Sequence, residues 1–308
     1  MERSLEITTA IGCKNRCVYC PQDRLIDKYN RKSKINRLSF LDFKRFLSNV
    51  PKDVHLYFSG FSEPWSNSEC TKMILHAYKN GYDISVFTTT VGMKISDIDI
   101  IKNIIFLDFV VHLPDDSENT QIKVSKDYLA NIRKLLDSNM SNLSFNCKIS
   151  SSKSKINFLL KNLFDEYKID TSKFIGNVNT RAGNINVRKL QNKNKTSKPI
   201  RDCICLDGGV LLPNGDVFLC FMDYGLKHKL GNLSKDTFDK LIYGKEMLKI
   251  KEGLRDDSID ILCRNCEYAV QKKFSNHPFF EGYLYPYTTP LLKPIRSLIR
   301  NLRSKISR

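Results

Sequence analysis

The sequence predicts an α/β fold: a partial (β/α)6 TIM-like barrel followed by a small cysteine-rich β-hairpin/α domain. Three observations carry that expectation. Six short β-prone runs alternate with helical stretches before residue 185, which is the pattern of parallel β/α units with strands buried on both faces. Six units suit a partial barrel better than a closed eight-fold one. A polar, basic stretch then interrupts the pattern over 186–200, as linkers between folded units do. Beyond it, two apolar runs flank Pro213-Asn214-Gly215-Asp216, a hairpin signal. The expected organisation is a core at 1–185, a linker at 186–200, a cysteine-rich unit at 201–272 and a terminal arm at 273–308.

Taken in order, residues 4–10 are β-prone and lead into a loop with three cysteines. Residues 22–38 are polar and basic and read as a loop. Ser39 is placed to cap a helix reaching about residue 48, with Phe40, Phe43, Phe46 and Leu47 on one side. Strands are expected at 54–59, 82–89, 106–113, 143–149 and 174–178. Helices are expected near 67–80, 119–138 and 154–167, the second carrying Ile122, Tyr128, Ile132, Leu135 and Leu136. Sites in such barrels lie at the C-terminal ends of the strands, where the first cysteine loop falls.

A chain of 308 residues with 41% apolar content can bury a real core, and no segment has the uninterrupted apolar length of a membrane span. The first residues lack the charged-then-apolar pattern of a secretory signal. Ten cysteines without such a signal point to metal sites in a reducing compartment rather than to disulfides. A cytoplasmic protein is therefore expected. The net charge of +17 invites a nucleic-acid interpretation. Yet the lysines are scattered, much of the excess sits in the linker and the last sixteen residues, and no nucleic-acid-binding motif accompanies them. A solvated basic surface, an anionic substrate or an anionic membrane explains the charge, and no nucleic-acid partner is expected.

Chemistry concentrates first in Cys13, Cys17 and Cys20, a C-x3-C-x2-C cluster on a loop opening with Gly12 and closing with Pro21. A cubane has four irons to ligate, so three thiolates leave one iron open. A structural zinc would want a fourth ligand nearby, and no cysteine follows until Cys70. The loop resembles the cluster loop of radical S-adenosylmethionine (radical SAM) enzymes, including an aromatic residue, Tyr19, before the third cysteine. The resemblance implies a [4Fe–4S] cluster whose open iron binds the amino and carboxylate groups of S-adenosylmethionine (AdoMet). It also implies one-electron cleavage to a 5′-deoxyadenosyl radical that abstracts hydrogen, fed by a flavodoxin- or ferredoxin-like donor.

Ser59-Gly60-Phe61-Ser62-Glu63-Pro64 follows the second strand. It resembles the family's Gly-Gly-Glu-Pro segment, with Ser62 in place of the second glycine. The resemblance makes Gly60, Ser62, Glu63 and Pro64 cofactor contacts, with Glu63 receiving the methionine ammonium. Thr89 and Thr90 stand where relatives place a hydroxyl against the ribose. Arg181, in an Arg-Ala-Gly-Asn segment also found in relatives, is suited to hold a carboxylate or phosphate. His112, at the end of the fourth strand, and Glu63 are the candidate catalytic acid–base residues, against the alternative of a hydrogen-bonded structural histidine. Cys70 and Cys147 read as buried small apolar residues.

A second constellation comprises Cys203, Cys205, Cys220, Cys263 and Cys266. A hairpin plus C-x2-C is also how zinc ribbons look. The spacing Cys205-x9-Gly215-x4-Cys220, with Gly231-Asn-Leu after it, resembles the auxiliary-cluster domain of the SPASM/twitch group of radical SAM enzymes. That resemblance implies a second, auxiliary [4Fe–4S] cluster held by Cys220, Cys263, Cys266 and one of Cys203 or Cys205, the choice being open. The tail, 293–308, reads as an amphipathic basic helix able to lie on an anionic membrane at the inner face or to pack on its own domain. The expected function is oxidation (dehydrogenation) of a small molecule or glycan precursor, with the auxiliary cluster as electron acceptor. Only twelve residues precede Cys13, which favours that over a peptide or protein maturase, the alternative within the family. The alternative of another class is a non-enzymatic zinc-ribbon nucleic-acid-binding protein.

Overall fold

The computed structural model describes residues 3–117, 119–149, 155–177, 180–185, 202–203, 205–266 and 268–270. The predicted linker at 186–200 and arm at 273–308 lie outside the described residues.

Six strands and six helices alternate in sequence order, with two helices between the first two strands. The strands are β1 (Ser4–Ile7), β2 (His55–Phe58), β3 (Ile84–Thr88), β4 (Asp108–Leu113), β5 (Leu143–Ile149) and β6 (Ile175–Asn177). The intervening helices are α1 (Gln22–Asn30), α2 (Phe40–Leu47), α3 (Cys70–Lys79), α4 (Ile95–Ile101), α5 (Lys126–Asp137) and α6 (Phe158–Glu166). Each strand from β1 to β6 pairs in parallel with the next, the arrangement of a partial barrel. Alternation along the strands sorts the side chains. Leu5, Ile7, Leu56, Phe58, Ile84, Val86, Phe109, Val111 and Leu113 are buried in one core. The helices lay their apolar stripes against that core, as with Phe43, Phe46 and Leu47 of α2 and Ile132 and Leu135 of α5. Ser39 caps α2 by accepting the Asp42 amide at 3.0 Å, as predicted. Cys70 and Cys147 are fully buried in the core.

Two expectations change. The stretch at 22–38 is not wholly a loop, because α1 occupies its first part. Its apolar stripe is only Leu25 and Tyr29, and charged neighbours mask that stripe in the sequence. Both pack with Phe61, Val210, Leu212, Phe218 and Tyr224 in a second small core. The helix expected from 119 starts at Lys126, where Ser125 caps it by accepting the Tyr128 amide. The preceding residues pair with the cysteine loop instead: Val18 N–H reaches the Asn119 carbonyl at 2.9 Å, and Gln121 N–H reaches that of Asn15 at 2.7 Å.

The remaining strands are β7 (Asp202–Cys203), β8 (Gly208–Leu211), β9 (Asp216–Phe218), β10 (Lys229–Asn232) and β11 (Ala269–Val270), with helices α7 (Phe238–Ile242) and α8 (Lys245–Gly253). The β8–β9 hairpin forms around Asn214 and Gly215, as the turn signal predicts. Unpredicted is its placement: β8 pairs in parallel with β1, so the barrel sheet continues as β10-β9-β8-β1 without a break. Strands β7 and β11 form a separate antiparallel pair. Among the described residues no helix is long and apolar enough to cross a membrane.

Candidate active site

The loop carrying Cys13, Cys17 and Cys20 leaves the C-terminal end of β1, and all three thiols are half-buried. It is tied down from three sides. Asn15 donates to the Thr89 hydroxyl at 2.8 Å, the 119–121 segment pairs along its edge, and Arg181 Nε donates to the Tyr19 carbonyl at 3.3 Å. Cys20 Sγ meets the Tyr224 hydroxyl and the Gln22 amide, each at 3.2 Å. Burial pushes the Cys13 thiol up to about 11, against amide hydrogen bonds that lower it. Burial pushes Cys17 up to about 12, with the charges of Cys20 and Cys13 adding to it. Left to themselves these thiols therefore stay protonated, and a bound positive centre would be needed to hold them as thiolates.

Beside this loop lies the turn after β2. Gly60 has φ +62°, and a Cβ there would stand 2.3 Å from Thr8 Oγ1 and against the Thr8 backbone, so glycine is required. Glu63 is buried and fully engaged. One oxygen accepts the Trp65 amide at 3.3 Å and the Thr88 hydroxyl at 2.5 Å; the other accepts the Thr89 amide at 2.6 Å and hydroxyl at 2.7 Å. Four donors match the lone-pair sites of a carboxylate. Burial raises its pKa against those hydrogen bonds. Glu63 therefore locks the β2 and β3 loops together, and receiving an ammonium would require displacing one of these donors. Ser62, by contrast, has a buried hydroxyl without a hydrogen-bond partner. Pro64 lends its carbonyl to Thr9 Oγ1 at 2.8 Å. Thr90 is buried in the left-handed region at φ +63°, with its amide on Thr88 Oγ1.

The concave face of the sheet holds polar and aromatic residues that alternate with the core set. Tyr57, Phe87 and His112 form a row across β2, β3 and β4, with successive ring centroids 6.1 Å apart. Burial pushes His112 down to about 3, helped by the charges of Lys148 and Arg181. An imidazole in that setting is neutral at physiological pH and a poor proton acceptor. Two residues that sequence reasoning missed share this face. Lys148, on β5, is pushed down to about 7 by burial and by Arg181. Glu6, on β1, accepts from the Ser59 hydroxyl at 2.7 Å and the Gly60 amide at 3.1 Å, both on one oxygen. Burial raises Glu6 to about 7, partly offset by those hydrogen bonds and by Arg181. The signal for both was a charged residue at an inward position of a β-alternating run.

The five other candidate cysteines converge on a single cavity, lined by Cys203, Cys205, Cys220, Cys263 and Cys266 together with Leu206, Leu219, Met222, Leu262 and Tyr268. The Cys205 thiol is held up by interactions with the Cys203 and Cys220 thiols and by burial. Cys263 is held up by burial and by Cys203, Cys220 and Cys266. The Cys205 amide points at Cys203 Sγ, 3.5 Å away, and the Cys266 amide closes a turn onto the Cys263 carbonyl at 3.2 Å.

Comparison with known proteins bears on both sites. Residues 203–267 match the family model SPASM, an iron–sulfur cluster-binding domain. The fold is shared with BtrN in complex with AdoMet and 2-DOIA, at 13% identity and a TM-score of 0.55, covering 87% of this chain and 93% of BtrN. Residues 203–267 thus match an iron–sulfur cluster-binding domain, and the chain shares the fold of BtrN. SuiB from Streptococcus suis bound to precursor peptide SuiA matches at 14% identity and a TM-score of 0.53, over 82% of this chain and 67% of SuiB. Native anSMEcpe with bound AdoMet and Cp18Cys peptide matches at 14% and 0.51, over 97% and 98%. A search of curated protein sequences finds no match.

The SPASM domain supplies all five cysteines of the cavity, and the barrel supplies the other three. Among the described residues no group of three or more His, Cys, Asp or Glu side chains is drawn in to hold a single metal ion. A four-iron cubane is wider than one ion, and thiols spread around a shared cavity fit that larger group. At the first site the fit rests on three half-buried thiols carried on one loop at the C-terminal end of β1.

Proposed function

We propose that this chain is a radical SAM oxidoreductase that binds AdoMet at the Cys13–Cys17–Cys20 loop and dehydrogenates a small molecule or glycan precursor. The observation that carries the oxidative part is the five-thiol cavity: four ligands suffice to close every iron of a cubane. When bound, the first [4Fe–4S] cluster with AdoMet supplies a hydrogen-abstracting 5′-deoxyadenosyl radical, and a closed second cluster supplies an electron acceptor.

The chain's own residues then have distinct tasks. Cys13, Cys17 and Cys20 would hold three irons of the first cluster and leave the fourth for the methionine moiety of AdoMet. The unpaired Ser62 hydroxyl is available to the ammonium, while Glu63 keeps the turn in shape through Thr88 and Thr89. Thr89 and Thr90 stand at the end of β3 for the ribose. Arg181 brings positive charge to the concave face, and Lys148, pushed down to about 7, brings an amine that is charged only in part at neutral pH. Removing a hydrogen atom and an electron from a carbinol leaves one proton to place, and Glu6 is the best-suited acceptor. Its pKa of about 7 matches neutral conditions, and one carboxylate oxygen remains outside its hydrogen bonds to Ser59 and Gly60. His112 shapes the aromatic row rather than taking that proton. A flavodoxin- or ferredoxin-like protein is the expected electron donor.

Peptide modification is the second reading, favoured by the near-complete overlap with anSMEcpe, a protein described with a bound peptide. The test is anaerobic incubation of the reconstituted protein with AdoMet, dithionite and panels of cyclitols, amino sugars and cysteine-containing peptides. One 5′-deoxyadenosine per product, with the product two hydrogens lighter than a cyclitol or sugar, is the expected result. A product carrying a new carbon–sulfur or carbon–carbon bond would overturn the oxidation, and turnover confined to peptides would favour the second reading.

A further inference from the structure

The Cys220–Leu226 turn joins the two cysteine sites. Its first residue lines the auxiliary cavity, and four residues later Tyr224 reaches the barrel loop, where its hydroxyl lies 3.2 Å from Cys20 Sγ. The turn is rigidly made. Asp223 N–H bonds the Cys220 carbonyl at 3.0 Å, and Leu226 N–H bonds that of Asp223 at 2.9 Å. The Asp223 carboxylate accepts the Lys227 and His228 amides, both at 2.8 Å. The Tyr224 ring packs edge-on to Phe61 with centroids 4.9 Å apart, which fixes where its hydroxyl points. A ligating thiolate has no proton to give, so the Tyr224 hydroxyl opposite it is the donor. Cys20 also receives the Gln22 amide at 3.2 Å, so two donors converge on this sulfur. The donors on Cys20 are side chains, whereas Cys13 is met by the backbone amides of Asn15 and Glu63.

We propose that Tyr224 is a positioning residue through which the SPASM domain sets the reduction potential of the cluster held by Cys20. Hydrogen bonds to a ligating sulfur withdraw electron density from it and favour the reduced, more negative cluster. The potential of the first site thereby depends on the turn that begins at a thiol of the second. The inference rests on Cys13, Cys17 and Cys20 being cluster ligands.

The experiment is a redox titration of the anaerobically reconstituted full chain, followed by electron paramagnetic resonance. The signal that AdoMet perturbs identifies the first cluster. Tyr224→Phe keeps the ring against Phe61 and removes only the donor. It is expected to retain iron and to move that cluster's midpoint to a more negative potential, while Tyr243→Phe, at an exposed tyrosine, leaves it in place. Replacing Tyr224 with 3-fluorotyrosine, a stronger donor of nearly the same shape, is expected to move it the other way. That second variant decides the matter if Tyr224→Phe loses its cluster. An unchanged midpoint in either loaded variant overturns the proposal. A parent protein that shows no AdoMet-sensitive signal would instead overturn the ligand assignment, which is a different failure.

Discussion

The two cysteine sites use the same element in opposite ways. At the barrel mouth three half-buried thiols sit on a loop, held by polar side chains from α1, the β3 end and Arg181, and they face the concave interior. In the SPASM domain five thiols line a cavity walled by leucines, Met222 and Tyr268, and three of them are buried. Three ligands in a polar setting leave a coordination position that a substrate-like molecule can fill. Four or more in an apolar setting close the site and leave only electron transfer. The difference is in ligand count and wall chemistry, not in the nature of the donor atom.

The most drastic way to break the comparison is to empty one site and watch the other. Changing Cys13, Cys17 and Cys20 together to alanine should abolish AdoMet cleavage while leaving the iron of the SPASM domain in place, read by iron analysis and 5′-deoxyadenosine assay. Cleavage that survives would assign the open position to the wrong site.

A smaller effect is expected from Glu6. Glu6→Gln should lower product formation by roughly 10²-fold or more, the usual scale for losing a general base, with AdoMet cleavage less affected. In the parent, product formation should rise with pH through about 7 as Glu6 ionises, and the variant should lose that limb. Stability follows the opposite course. The folded state holds a proton on Glu6 up to about 7, whereas the ordinary value is 4.5. The parent should therefore lose stability relative to Glu6→Gln as pH rises between those values, measured by urea unfolding. A pH-independent difference would remove Glu6 from this role.

How far the sequence foretold these sites depends on the range of the interactions involved. The parallel strands were visible as apolar runs, and β5 begins and ends where expected. The cysteines were visible because their spacing is local. Helix α1 was hidden because Leu25 and Tyr29 are its only strong apolar pair. The pairing of β8 with β1 was hidden because nothing in either run specifies a partner some two hundred residues away. Tyr224 and Gln22 escaped for the same reason, since an ordinary tyrosine and glutamine acquire meaning only when the fold brings them to Cys20. Glu63 was visible as part of a motif, but its four protein donors were not, because they come from the next strand. Lys148 and Glu6 were in plain view as charges within strands, yet their chemistry comes from burial beside Arg181.

The central claim is one open site and one closed site. It is tested most directly by Mössbauer spectroscopy of the 57Fe-loaded protein with and without AdoMet, in the parent and in the Cys203→Ala and Cys205→Ala variants. The account predicts that AdoMet changes the signature of a single iron in one cluster and leaves every iron of the other unchanged. It also predicts that at least one of the two alanine variants keeps that second cluster intact, since the cavity offers five thiols for four irons. An AdoMet-induced change at both clusters, or at neither, would contradict it.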